Sequence, residues 1–185
     1  CAVNPMRPRP RMLALLRWLP RQVVVSTAAA ADGTLYLTFD DGPHPEHTPA
    51  VLDSLARHGA KASFFLIGDQ VRRFPDLVRR IVAEGHAIGN HSQTHPEFRR
   101  LQLGAQLAEI EAADRELRAI VGDVPIPFRS PRGALPPRLV SALALRGRPI
   151  VYWSYNTLDY RRSDPAELLA MMRAPLTSWL PKVWS

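Results

Sequence analysis

The 185-residue chain has a single cysteine, Cys1, which excludes a disulfide within the chain and a thiolate cluster for a metal. Any metal must therefore sit on nitrogen and oxygen ligands. Long apolar runs are missing as well. No segment approaches the about 20 apolar residues of a membrane span, so no integral membrane segment is expected. Low-complexity tracts and internal repeats are absent, which leaves a globular reading. Acidic charge is in short supply, with 17 Asp and Glu against 24 Lys and Arg and a net charge of +7. The excess is mostly arginine, scattered through helical stretches such as Arg72, Arg73, Arg79 and Arg80 without interleaved aromatics. Such dispersion reads as solvated helix faces, and no nucleic-acid partner is expected without a basic stripe on one face. A basic surface equally suits acidic cell-envelope polymers.

What is present points to one domain, since a chain of this length that is 46% hydrophobic can bury a substantial core. Prolines gather near the start and at Pro125, Pro127, Pro131, Pro136 and Pro137, where they punctuate loops. Residues 1–33 read as an N-terminal extension. The first residue is Cys1, which fits either a reading frame starting at Met6 or a lipidated mature terminus. From Met6 there is a basic opening, an apolar run over 12–19 broken by Arg17, and an alanine-rich 26–31. A weak signal peptide and an amphipathic lead-in helix share that pattern. Residues 34–185 form the domain.

Short apolar runs then alternate with helical patterns. Residues 35–39 read as a buried strand, followed by a helix that Thr48 caps, with Pro49 in its first turn and Gly59 stopping it. A strand is expected over 62–67, a helix over 72–83 and a short strand over 87–89. A long helix over 101–121 follows, then a strand starting at Phe128, a helix over 137–145, a strand over 149–153 and a helix over 164–173. This strand-helix repetition predicts an α/β fold, either a parallel sheet or a barrel, with functional groups at the carboxyl ends of the strands.

The first such end is Thr38-Phe39-Asp40-Asp41-Gly42-Pro43. Neighbouring carboxylates on a strand face opposite sides, but a break at Gly42 and Pro43 can turn both towards one site. One acid can then bind a cation while the other takes a proton from water. Asp-Gly-Pro is also ordinary turn chemistry. The next strand end is followed by His91-Ser92-Gln93-Thr94-His95, two imidazoles one helical turn apart, a spacing at which they can converge with Asp41 on one ion. Paired histidines also occur without a ligand role, His91 ordering the loop and His95 exposed before Pro96.

Together these segments resemble the first two motifs of the NodB-homology polysaccharide deacetylases, carbohydrate esterase family four. Lys61-Ala62-Ser63-Phe64-Phe65-Leu66-Ile67-Gly68 and Glu84-Gly85-His86-Ala87-Ile88-Gly89-Asn90-His91 agree in residue type and spacing, and the likeness covers residues 34–169. The resemblance implies a distorted (β/α) barrel. It also implies a divalent metal, zinc first and cobalt next, on Asp41, His91 and His95, with Asp40 as general base. Arg129-Ser130-Pro131-Arg132-Gly133 is similar to the third motif, with Arg132 where the family usually has an aromatic. By that likeness Arg129 supports Asp40, and the backbone N–H of Arg132 helps hold the oxyanion. Val151-Tyr152-Trp153-Ser154-Tyr155-Asn156-Thr157-Leu158-Asp159-Tyr160 is similar to the fourth. There Asp159 matches the aspartate that pairs with the motif-three arginine, Asn156 replaces a common aspartate, and Tyr160 replaces tryptophan while keeping an aromatic wall. Trp153 reads either as a substrate contact or as a core aromatic on its strand.

The family's final strand carries a histidine that protonates the leaving group, and no histidine follows His95. The last strand is therefore expected to be missing or altered. The expected function is metal-dependent removal of acetyl groups from an N- or O-acetylated polysaccharide or oligosaccharide. The alternatives are a metal- and carbohydrate-binding module that turns nothing over and a basic protein that binds nucleic acid or envelope polymers. The resemblance implies the cell envelope or secretion, while the weak leader leaves a cytoplasmic location open.

Overall fold

The alternation of apolar runs and amphipathic stretches folds as a parallel α/β array in the computed structural model, which describes residues 23–25, 36–153, 164 and 166. Strand β1 is Val24–Val25, β2 is Leu37–Gly42, β3 is Ala62–Leu66, β4 is Ala87–Asn90 and β5 is Ile150–Val151. β2, β3 and β4 pair in that order and β1 pairs with β5, every pairing parallel. Isolated bridges from Phe128 to Asn90 and to Ile150 join the two sets. The helices that make the crossovers are α1 His47–Arg57, α2 Gly68–Arg73, α3 Pro75–Ala83, α4 Leu103–Val121 and α5 Pro137–Leu145. The architecture is the distorted (β/α) barrel that the family resemblance implied, one of the two forms, sheet or barrel, that the strand-helix order left open.

Several local expectations are corrected. The helix expected over 72–83 is two helices, because Pro75 disfavours a helical Phe74, which sits at φ −132°, ψ 56°, and the chain restarts with Pro75 in the first turn of α3. Thr48 does not cap α1. The helix begins at His47, its N-cap Glu46 lying two residues before the expected cap, and Thr48 Oγ1 instead accepts the N–H of His44 at 2.8 Å. Phe128 starts no ladder and holds only its two bridges. A short strand, Val24–Val25, lies within the stretch read as an extension. The helix expected over 164–173 and the expected altered last strand lie outside the described residues.

Two apolar clusters fill the space between layers. One gathers Val24, Phe98, Ile110, Phe128, Leu139 and Ile150, the other Leu52, Phe64, Leu66, Val71, Val78 and Ile81. On α3 the periodic apolar residues divide: Val78 and Ile81 are fully buried, while Val82 is exposed. At Gly89 a Cβ would lie 2.4 Å from the Phe65 ring, so β4 can pack this closely on β3 only as glycine.

Behind β3, the buried His86 accepts the Ala62 N–H on Nδ1 at 3.3 Å and tilts against Phe64. Burial, then the charge of Lys61, pushes its pKa below the ordinary 6.5, with Glu84 opposing. The unfolded chain therefore binds the proton more readily than the folded one. The stability this neutral ring contributes is present above about pH 6.5 and is lost as pH falls through the lower folded value. Thermal melts from pH 7.5 to 5 are expected to show this acid limb, and His86→Phe to flatten it. An unchanged limb in the variant would assign it to other groups.

Candidate active site

Every predicted site residue that the structure describes sits at or just beyond the carboxyl end of a parallel strand. Asp40 and Asp41 end β2, His91 follows β4, Arg129 follows the Phe128 bridge and Trp153 lies two residues past β5. Carboxyl ends are where α/β sheets leave backbone and side chains free to meet a ligand.

The two acids are separated by a bulge and not by a turn after the strand. Pairing with β3 shifts register between Phe39 and Gly42, and Asp41 takes a left-handed φ of 67° inside β2. The extra residue re-aims Asp41, so the neighbouring carboxylates serve different partners on the same side of the sheet. Asp40 Oδ1 accepts from Arg129 Nη1 at 2.7 Å, and the same nitrogen donates to Thr38 Oγ1 at 2.8 Å. Arg129 is 2% exposed and its guanidinium lies 3.9 Å from the Phe65 ring centre. Burial pulls its pKa down while Asp40 counters the fall. Among the described residues its Nη2 has no hydrogen-bond partner.

Asp41 faces the histidines. Its Oδ1 lies 3.4 Å from His91 Nε2 and 3.3 Å from His95 Nε2, and the three donor atoms all lie within 4.8 Å of one another. A tetrahedral cation with bonds of about 2.0–2.1 Å separates adjacent donors by about 3.3–3.4 Å. The set therefore fits a cation of that size. His91 Nδ1 is 2.7 Å from the Arg129 carbonyl oxygen, which can only accept, so Nδ1 carries the proton and Nε2 offers its lone pair to the site. The His95 pKa is lowered chiefly by burial, with the His91 and Arg132 charges adding and Asp41 opposing. The Asp41 carboxyl is held below its usual range, first by contact with His91 and then by the charges of His91, His95 and Arg132, against the effect of burial. A cation takes deprotonated Nε2 atoms and an ionised carboxylate, and the lowered pKa values of His95 and Asp41 favour those states.

The histidines converge through an irregular loop and not through the helical turn that their spacing allowed. Ser92 and His95 have φ of 69° and 56°, and the loop is held by side chains that sequence reasoning did not single out. Asn90, fully buried at the end of β4, accepts the Ser92 N–H at 2.7 Å and donates to Asp114 Oδ1 and the Ile110 carbonyl, both at 2.8 Å. Glu109 on α4 accepts the N–H groups of Gln93 and Thr94, and Ser92 Oγ accepts that of His95. Thr38 was missed too. Its signal was available: a polar residue two before Asp40 shares Asp40's face of the strand.

Arg132 lies in the tight turn Pro131–Gly133 with φ 53°. Gly133, at φ 63°, admits Trp153 and Tyr152 so closely that a Cβ would lie 2.8 Å and 2.9 Å from them. Trp153 stacks on Tyr152 with ring centres 4.4 Å apart and lies 5.6 Å from the Arg129 guanidinium. It is half-buried, between the two readings the sequence allowed. Asp159 and Tyr160 lie outside the described residues, as does Asn156.

Comparison with known proteins places this geometry. The chain is 37% identical over 144 residues to a chitooligosaccharide deacetylase of Bradyrhizobium sp. (strain ANU 289), across 77% of this chain and 66% of that protein. It is 36% identical over 149 residues to a peptidoglycan-N-acetylglucosamine deacetylase of Bacillus cereus, across 78% of this chain and 54% of that protein. The chain thus spans about half to two-thirds of the length of these relatives. Among solved structures, the Bdellovibrio bacteriovorus peptidoglycan deacetylase Bd3279 superposes with a TM-score of 0.75 at 32% identity, covering 84% of this chain and 44% of that one. The polysaccharide deacetylase family profile matches residues 27–151, a span that contains Asp40, Asp41, His91, His95, Arg129 and Arg132. The chain belongs to the polysaccharide deacetylase family.

Proposed function

We propose that this chain hydrolyses acetyl groups from an N- or O-acetylated polysaccharide, with a divalent cation, zinc first, held by Asp41, His91 and His95. The observation that carries the reading is the division of labour between adjacent acids. Asp41 faces two imidazole nitrogens at 3.3 and 3.4 Å, while Asp40 is held apart from them by the buried Arg129. When bound, the cation supplies Lewis acidity and brings the pKa of water towards neutrality. Asp40, at 31% side-chain exposure, is open enough to reach the attacking water and take its proton. Arg129 fixes the carboxylate's orientation through Nη1 and stabilises its charge. The left-handed Arg132 presents its backbone N–H for the oxyanion that forms on the acetyl carbonyl. Asp159 is assigned to Arg129 Nη2, whose buried N–H groups need an acceptor. Trp153 and Tyr160 are assigned aromatic contacts with the substrate, a role that the family resemblance gives them.

The test is acetate release from acetylated chito-oligosaccharides, peptidoglycan and acetylated xylan by the zinc- or cobalt-loaded protein, compared with the same protein after chelation. The reading expects release from at least one polymer, falling about 100-fold or more without the cation. Bound cation with no release from any polymer would sink the enzymatic reading in favour of a metal- and carbohydrate-binding module.

A further inference from the structure

The loop that carries the two histidines is anchored from outside itself. Asn90 directs its side chain to α4, where Nδ2 donates to the Ile110 carbonyl and to Asp114 Oδ1, and its Oδ1 accepts the Ser92 N–H. The α4 partners decide which way that amide points. A carbonyl and a carboxylate can only accept, so the amide NH2 faces them and the amide oxygen is left for Ser92. Ser92, at φ 69°, passes the constraint on, its Oγ accepting the His95 N–H at 3.1 Å.

Asp114 is itself held by Arg148, which lies between α5 and β5. The guanidinium spans both carboxylate oxygens, Nη2 to Oδ1 at 2.8 Å and Nη1 to Oδ2. Such a two-point fork fixes the rotation of the carboxylate as well as its position. Both side chains are largely buried, at 15% and 14% exposure. The arginine's own backbone is fixed as well: its N–H donates to the Leu143 carbonyl at 2.9 Å, and the carbonyl of the next residue, Pro149, accepts the Phe128 N–H at 2.9 Å. A continuous series of hydrogen bonds thus runs from Arg148 through Asp114, Asn90 and Ser92 to His95.

We propose that Arg148 is a positioning residue for the metal loop: through Asp114 it fixes the Asn90 amide, and through that amide the left-handed Ser92 that brings His95 to the cation. The cation rests on the metal-site reading above; the ordering of the loop does not. Three roles for Arg148 predict three different results. If its charge alone mattered, deleting a cation and leaving Asp114 unpaired would tighten the binding of another cation nearby. If the pair only braced the fold, stability would fall and the zinc affinity of the folded protein would not change. Loss of positioning weakens zinc, against the sign of the charge.

The test measures zinc affinity of the full chain by competition with a chromophoric chelator, for the parent, Arg148→Met and Arg148→Lys. Arg148→Met is expected to weaken zinc by about tenfold, the lower end of the effect of partners that orient ligands from outside the coordination sphere. Arg148→Lys keeps the charge without the fork and should lose less. The visible bands of the cobalt-loaded protein should shift in Arg148→Met, which a loss of stability alone does not cause. Because the effect runs through Asn90, Arg148→Met should add nothing to Asn90→Ala in a double-mutant cycle. In the cation-free protein, amide exchange at Ser92 should quicken in Arg148→Met relative to that at His91, whose N–H is bonded to the Leu66 carbonyl at 2.9 Å. Zinc affinity equal to the parent's or tighter in Arg148→Met overturns the proposal, and so do effects that add in the cycle. Should Arg148→Met fail to fold, Arg148→Lys decides in its place, and parent-like zinc affinity and exchange overturn the proposal. A parent protein that takes up no zinc would count against the metal-site reading; the exchange rates then decide this one, with unchanged exchange at Ser92 overturning it.

Discussion

Asp40→Asn is expected to lower kcat for acetate release by about 10²–10⁴-fold, the contribution of a positioned general base, while cation affinity is retained. The asparagine keeps the size of the side chain and an oxygen that can accept from Arg129 Nη1, now 2.7 Å from Asp40 Oδ1, so the strand end has no reason to move. What it loses is the basicity needed to take a proton from water. Asp40 contributes none of the three atoms of the candidate cation site, which come from Asp41, His91 and His95. Steady-state kinetics on an acetylated oligosaccharide, with a zinc titration of the same sample, separates the two effects. A kcat within about tenfold of the parent would remove Asp40 from the role of base.

Arg129→Ala carries the largest expected cost in stability, about 3–5 kcal/mol, because it removes one partner of a largely buried charge pair. Arg129 is 2% exposed and ties Thr38 and Asp40 of β2 to the segment after Phe128, while its guanidinium stacks on Phe65 of β3. Its deletion leaves a cavity among these strands and Asp40 without its cation. For a chain of this size such a loss lowers Tm by roughly 10 °C. Arg129→Lys keeps a charge but not the planar guanidinium that stacks on Phe65, and should fall between the parent and the alanine variant. Urea unfolding followed by far-ultraviolet circular dichroism gives the number. A loss below about 1 kcal/mol would mean that the pair is solvated and not a structural link.

The chemistry of the site was legible in the sequence because its residue types are costly to place anywhere else. Adjacent Asp40 and Asp41 at the end of an apolar strand, and His91 and His95 just past another, needed only the α/β alternation to be brought to one end of the sheet. How they converge was not legible. A bulge at Asp41 and two left-handed residues, Ser92 and His95, replace the turn and the helical spacing that the local sequence suggested. Those conformations are maintained by Asn90 and Glu109, and Glu109 belongs to α4, outside the loop that it orders. No period or motif within the loop encodes such a partner. Val24–Val25 escaped for a similar reason, since a two-residue strand has no alternation to read and exists through its pairing with Ile150–Val151. The break at Phe74, by contrast, was written in the sequence: Pro75 states it, and the apolar periodicity over 72–83 simply masked it.

The most direct test of the account is a calorimetric zinc titration of the chelator-stripped protein alongside its His91→Ala and His95→Ala variants. The account predicts one zinc per chain in the parent protein, and affinity weakened by about 100-fold or more in each variant. Zinc binding that is equally tight in both variants would contradict it, because the cation would then rest on donors other than the cluster at the ends of β2 and β4.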